Sequence, residues 1–184
     1  MKDVMVDLET MGTGPVAAII AIGAVEFDLG TGAIGEFFYV VVNLESSVQG
    51  GGVIDPSTVM WWLGQSDDAR AAVRTEGTHI TVALMRFAAW LAQRGAGDDL
   101  RLWGNGAGFD NVVLEAAYRH AHIQCPWNFW NNRCYRTIKA LHPTVKAIRT
   151  GTHHNALDDA ITQAKHLIAV MAHARWKTLE GTEV

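Results

Sequence analysis

Cysteine is scarce in this chain of 184 residues, which carries two, Cys125 and Cys134. They stand nine residues apart with no C-x-x-C pairing, which suggests neither a zinc set nor a redox pair, and both are expected to be plain buried thiols. Long hydrophobic runs are missing as well. No apolar stretch reaches membrane-spanning length, and no basic segment with an apolar block opens the chain, so a protein without a membrane partner, in a cytoplasmic setting, is expected. Repeats, low-complexity tracts and long charge runs are also absent, which confines expected disorder to a C-terminal tail, Leu179 to Val184. The remainder, residues 1–178 of a chain that is 49% hydrophobic, suffices for one well-packed domain.

One absence is local. The net charge is −4, yet no Asp or Glu occurs from Ala116 to Leu157, a window that holds Arg119, Arg133, Arg136, Lys139, Lys146 and Arg149. Such a window is either a solvated helix face or a groove that contacts phosphates, and its length favours the groove.

The acids that are present fall in three informative places. The segment Asp3-Val4-Met5-Val6-Asp7-Leu8-Glu9-Thr10 has the β-branched and apolar content of a buried strand. Alternation sets Val4, Val6 and Leu8 on one face and Met5, Asp7 and Glu9 on the other. Two carboxylates about 6–7 Å apart on one face of a central strand repel each other in a low dielectric unless a cation lies between them. The competing reading is the solvated end of a strand. A second acid, Asp110, closes Leu102-Trp103-Gly104-Asn105-Gly106-Ala107-Gly108-Phe109-Asp110, where a short strand enters a glycine-rich turn and then a helix over about 110–121. Its expected core stripe is Val113, Leu114, Ala117 and Ala121. Helix cap and metal ligand are equal readings of Asp110.

The third place is Thr152-His153-His154-Asn155-Ala156-Leu157-Asp158-Asp159-Ala160, the start of a long helix with an expected stripe of Leu157, Ile161, Ala164, Ile168 and Met171. Asn155 is the expected N-cap, and Asp158 is placed to return a hydrogen bond to it as in a capping box. The helical wheel alone leaves open which aspartate is a ligand. Strands are further expected over about 18–28, 34–43 and 100–104, with a hairpin turn at Asp28-Leu29-Gly30-Thr31-Gly32. Helices are expected across about 57–93, 134–141 and 155–174, with a short strand or loop near 127–132. This order is α/β with a mixed sheet.

Taken together, Asp7-Leu8-Glu9-Thr10-Met11-Gly12, Gly104-Asn105 through Phe109-Asp110, and His154 through Ala160 resemble the DEDDh branch of the DnaQ-like 3'-5' exonucleases. The stretch Ile54 to Gln65 is similar to a bacterial and phage subgroup described as exoribonuclease or exodeoxyribonuclease VIII-like. The histidine five positions before the last acid is the DEDDh mark. The resemblance implies a ribonuclease H-like fold with a mixed five-stranded sheet flanked by helices. It also implies hydrolysis of terminal phosphodiesters at the 3' end of single-stranded RNA or DNA or of a 3' overhang, releasing nucleoside 5'-monophosphates. Asp7, Glu9, Asp110 and Asp159 would hold two Mg²⁺ or Mn²⁺ ions, whose four charges would bring −4 to about zero. By the same resemblance His154, rather than His153, would be the general base, on a weakly structured stretch, Ala147 to Thr152, able to swing inward. Thr10, Met11, Gly12, Asn105 and Phe109 would contact substrate, with Met11 wedged against the terminal base. Trp61, Trp62, Trp127, Phe129 and Trp130 are candidates for base stacking. A homodimer is compatible with relatives that pair. The other expectations to be weighed are a catalytically silent nucleic-acid-binding module and a phosphohydrolase restricted to very short oligonucleotides.

Overall fold

A computed structural model of the chain describes residues 2–74, 76–95 and 99–180. Five strands, β1 (Lys2–Thr10), β2 (Ile19–Phe27), β3 (Ile34–Val41), β4 (Leu100–Gly104) and β5 (Asn132–Cys134), form one sheet in the order β3-β2-β1-β4-β5. β1 and β2, and β2 and β3, pair antiparallel, whereas β4 runs parallel to β1 and β5 parallel to β4. This is the mixed five-stranded α/β sheet that was expected. The hairpin turn forms where expected, because the Asp28 carboxylate accepts the N–H groups of Gly30 and Thr31, each at 2.7 Å. Gly32 then takes a left-handed φ of 78°.

Seven α-helices flank the sheet among the described residues: α1 (Leu44–Gln49), α2 (Pro56–Leu63), α3 (Asp67–Val73), α4 (Ile80–Ala92), α5 (Asp110–His120), α6 (Tyr135–Leu141) and α7 (Ala156–Glu180). α1 was not anticipated. Asn43, expected inside a strand, instead caps this helix by accepting the Ser46 N–H at 2.8 Å. The expected tail from Leu179 begins within α7, and 181–184 lie outside the described residues.

Alternation along β1 divides the core in two. Val4, Val6 and Leu8 join Leu84 and Phe87 of α4 and Leu114 and Tyr118 of α5 on one face. Met5 joins Val25, Phe27 and Trp103, with Tyr135 of α6 and Ala160, Ala164 and Leu167 of α7, on the other. On α5, Ala117 and Ala121 are only partly buried, and Tyr118 carries much of the packing. The buried stripe of α7 is Ala156, Ala160, Ala164, Leu167 and Val170, not the bulkier Leu157, Ile161, Ile168 and Met171, which are partly buried at its edge. Small side chains face the sheet because the helix lies close to it.

Gly23 of β2 shows how close. It pairs with Asp7, and a Cβ at this position would sit 2.2 Å from the carbonyl carbon of Ala156. Only a glycine admits the start of α7 there. Gly23→Ala is therefore expected to force that helix away and to cost roughly 1–3 kcal/mol in denaturant unfolding. An unchanged midpoint would mean that the helix start shifts without cost.

Candidate active site

Three chain segments deliver acids to one cavity of about 630 Å³. Asp7 and Glu9 come from the end of β1, Asp110 from the first residue of α5 and Asp159 from the first turn of α7, and His153 and His154 line the same wall. Beyond Met5, β1 has no further pairing with β4, which leaves a backbone edge free. The Leu8 N–H donates to Asp110 Oδ1 at 3.3 Å, so this carboxylate takes a strand amide rather than capping its helix. Phe109 occupies the cap position. Gly104 permits the approach, since a Cβ there would meet Asn111 Oδ1 at 2.5 Å. Asn111 anchors the helix start, donating to the Leu102 carbonyl at 3.0 Å and to Asn132 Oδ1 at 2.9 Å.

At the α7 end, Asn155 caps as expected, its side-chain oxygen accepting the N–H groups of Leu157 at 3.1 Å and Asp158 at 3.2 Å. Asp158 does not return a bond to the cap; its carboxylate accepts the Thr152 N–H at 2.7 Å. Asp159 faces the cavity, accepts the His154 N–H at 3.1 Å and forms an ion pair with Arg149. The phase of the alanine stripe thus separates the two aspartates: Asp158 serves the loop and Asp159 the cavity. His154 holds a left-handed φ of 62°, a strained conformation for a residue with a side chain. Its ring packs edge-on against Trp61 of α2, with centroids 4.7 Å apart. One ligand atom each of Glu9, His154 and Asp159 lies within 4.8 Å of the others.

Ala147 to Thr152 has no helix or strand, as expected, but it is stapled to α7. Thr150 bonds Thr162 through its N–H at 3.2 Å and its hydroxyl at 3.1 Å, and Arg149 reaches Asp159 and the Thr152 carbonyl. Gln163, one turn after Asp159, escaped the sequence reading. Its amide donates to Asp7 Oδ1 at 2.8 Å while its own oxygen is buried without a partner. The signal was the i, i+4 spacing from Asp159.

The carboxylates shift one another. Removal from water, then the charges of Asp110, Glu9 and Asp159, hold Asp7 well above the ordinary carboxylate range. Glu9 is pushed up to about 8 by burial and by Asp159 and Asp110, against the pull of Arg149. Asp110 is raised to about 6 by burial, opposed by the Leu8 amide and by Arg136. Burial and the neighbouring His153 lower His154, which keeps its imidazole neutral near neutral pH. Glu9 Oε1 is buried with no hydrogen-bond partner.

A second cavity of about 420 Å³ adjoins the first through Leu8, Glu9 and Phe109. Thr10, Gly12, Thr13 and Trp61 also line it. Met11 lines neither cavity; it packs on the Ile20, Trp62 and Ala69 cluster, and Phe109 stands between the two cavities instead. Trp62 is buried with its indole N–H on the Thr10 carbonyl at 2.9 Å, and Trp127 is buried with its own on Asn132. Trp127 is thereby removed from the stacking candidates, Trp62 still lines the second cavity, and Trp61, Phe129 and Trp130 are exposed. The two cysteines are half-buried and free, not fully buried. No helix among the described residues is long and apolar enough to cross a membrane.

Against known proteins, the model of the 3'-5' exoribonuclease Rv2179c-like domain matches residues 2–171. An exodeoxyribonuclease of Enterobacteria phage T4 is 26% identical, over 77% of this chain and 72% of the relative. The nuclease domain of 3'hExo, a DEDDh family member bound to rAMP, superimposes with a TM-score of 0.63 at 16% identity, covering 94% of this chain and 92% of that one. E. coli exonuclease I in complex with a 5cy-dT13 oligonucleotide gives 0.63 at 17% identity, covering 97% of this chain and 42% of that one. At such identities these structures share the fold, which is the ribonuclease H-like one.

The shifted carboxylates bear on stability. Glu9 binds its proton in the folded state up to about pH 8 but loses it near the ordinary glutamate value when unfolded. Between those values the folded state holds more protons, so the stability of the metal-free protein falls as pH rises through that window. Thermal melts in chelator are expected to drop from pH 5 to pH 8, and Asp7→Asn should flatten the slope. Added Mg²⁺ should raise the melt more at pH 8 than at pH 5. A melt independent of pH would contradict the crowding.

Proposed function

Since the chain belongs to the family of the 3'-5' exoribonuclease Rv2179c-like domain and is a 3'-5' exonuclease acting on nucleic-acid 3' ends, we propose that it removes nucleoside 5'-monophosphates one at a time from single-stranded RNA or DNA or from a 3' overhang, in the cytoplasm. The convergence of Asp7, Glu9, Asp110, Asp159 and His154 on one cavity carries this reading. The donor set fits hard divalent cations. Its ligands are carboxylate oxygens, one of them buried without a partner, and their mutual repulsion is of the kind a cation relieves. Asp7, Glu9, Asp110 and Asp159 would hold two Mg²⁺ or Mn²⁺ ions. Bound there, the ions would supply a nucleophilic hydroxide at neutral pH and neutralise charge on the phosphorus and the leaving oxygen.

The chain's own side chains account for the rest. A ring nitrogen of His154, neutral near neutral pH, accepts the proton of the attacking water. Trp61 and the Asp159-bound backbone of His154 fix the direction of that ring. Gln163 holds Asp7 by its Oδ1 and so fixes the orientation of that carboxylate. The second cavity, with Phe109 and Trp61 as apolar walls and Thr10 and Thr13 as polar ones, takes the terminal base and sugar. A complete set of acids disfavours a silent binding module.

End-labelled RNA and DNA incubated with Mg²⁺ or Mn²⁺ are expected to shorten from the 3' end with release of mononucleotides; no turnover on either would end this proposal. Asp7→Ala should abolish activity yet keep a cooperative melt. His154→Ala should slow turnover roughly 10²–10⁴-fold and His153→Ala little, the reverse ranking moving the base to His153. Gln163→Ala should weaken Mg²⁺ binding about 10–100-fold in calorimetric titration.

A further inference from the structure

A third cavity, of about 660 Å³, opens beside the acidic one and shares Asn105, Arg136, Lys139 and Ala147 with it. Its lining includes the cations Arg136, Lys139 and Lys146 and no carboxylate. Arg136 and Lys139 are one helical turn apart on α6, so they project from the same face. Lys146 comes from the loop that follows. That loop is pinned to α7, for buried His166 meets the Val145 carbonyl at 2.9 Å and the Tyr135 hydroxyl at 2.6 Å. Lys146 itself donates to the Pro143 carbonyl at 2.9 Å. All three cations are exposed, and none is in an ion pair with a described carboxylate. Positive charge that stands next to four acids without an ion pair to them is placed to meet an anion from outside.

The order of the cavities says which anion. The apolar cavity of Trp61 and the basic cavity share no lining residue, and each adjoins the acidic one. The acids therefore lie between a place for a base and a place for phosphates. We propose that the basic cavity is the subsite for the phosphodiester backbone of the nucleotides upstream of the scissile bond. A single strand would run from the apolar cavity, across the acids and along Arg136, Lys139 and Lys146. This rests on the exonuclease reading and adds the path of the strand. It predicts a preference for strands over dinucleotides, since a dinucleotide ends before it fills the basic cavity.

The test compares a dinucleotide with a single strand of about twelve nucleotides as substrates for the full chain. Wild-type kcat/KM is expected to favour the longer strand. The double variant Lys139→Ala, Lys146→Ala should lower kcat/KM on the longer strand roughly tenfold and shrink its advantage over the dinucleotide. The same pair should flatten the salt dependence of strand binding, measured by anisotropy with Ca²⁺ in place of Mg²⁺, by about 1.4 in slope. Equal losses on both substrates, or an unchanged salt slope, would overturn the subsite. A wild-type protein that cleaves nothing but binds the strand with this lysine-dependent slope would sink the exonuclease reading and leave the subsite standing.

Discussion

Asp7 and Glu9 are costly to ionise because the fold drives them together with Asp110 and Asp159 in a space partly cut off from water. Asp3 shows what an acid on this strand does when it is structural. It lies on the same face of β1 as Asp7, four residues earlier, and is buried. It is met by Arg101 across the parallel pairing, in an ion pair, and by the Trp103 indole at 2.7 Å. Asp7 is given a neutral amide and three carboxylates instead. One strand thus carries a satisfied acid and a frustrated one, and folding energy gained in the two hydrophobic layers must hold the second in place.

That energy is applied through two close approaches. At two points where a helix start must touch the sheet, the strand carries glycine. Gly23 admits the backbone of Ala156 and Leu157, and Gly104 admits Asp110 and Asn111. Both contacts lie at the first turns of α7 and α5, which is why those turns can deliver an acid to the end of β1. The polar seal behind α5 is equally specific: Asn111, Asn132, Trp127 and Glu115 are linked in one network that fixes where that helix begins. Substitution within such a network leaves buried groups without partners, so its members are coupled to the acids without touching them.

Much of the site was legible because it depends on local rules. Alternation alone placed Asp7 and Glu9 on the face opposite Val4, Val6 and Leu8, and Asn155 announced its helix. The choice between Asp158 and Asp159 was not legible in the same way. Hydrophobicity favoured a stripe of Leu157, Ile161 and Ile168, whereas the true stripe opens with the alanines Ala156, Ala160 and Ala164, chosen by how near the sheet lies, and that distance is set by a glycine more than a hundred residues away. Trp127 misled for a related reason. An indole reads as a stacking surface in sequence, but this one is buried with its N–H spent on Asn132 across a turn, which only the fold brings within reach. Met11 likewise turned to a core cluster drawn from β2, α2 and α3, whose meeting no local pattern states.

The charge distribution follows from the same geometry. A net charge of −4 looks adverse for a protein that handles polyanions, but net charge describes the far field, and binding here is decided within a Debye length of the cavities. The acids are drawn from three distant segments into one wall. The acid-free window from Ala116 to Leu157 passes along the neighbouring wall, where α6 and the loop after it lie. Crowding of like charge within each wall is costly unless that wall has a counter-charge, and the two walls call for opposite ones, cations for the carboxylates and phosphates for Arg136, Lys139 and Lys146. A polyanion that arrives with divalent ions satisfies both together, whereas a neutral substrate would satisfy neither. The adverse net charge is thus the sum of two local demands that the same substrate complex meets.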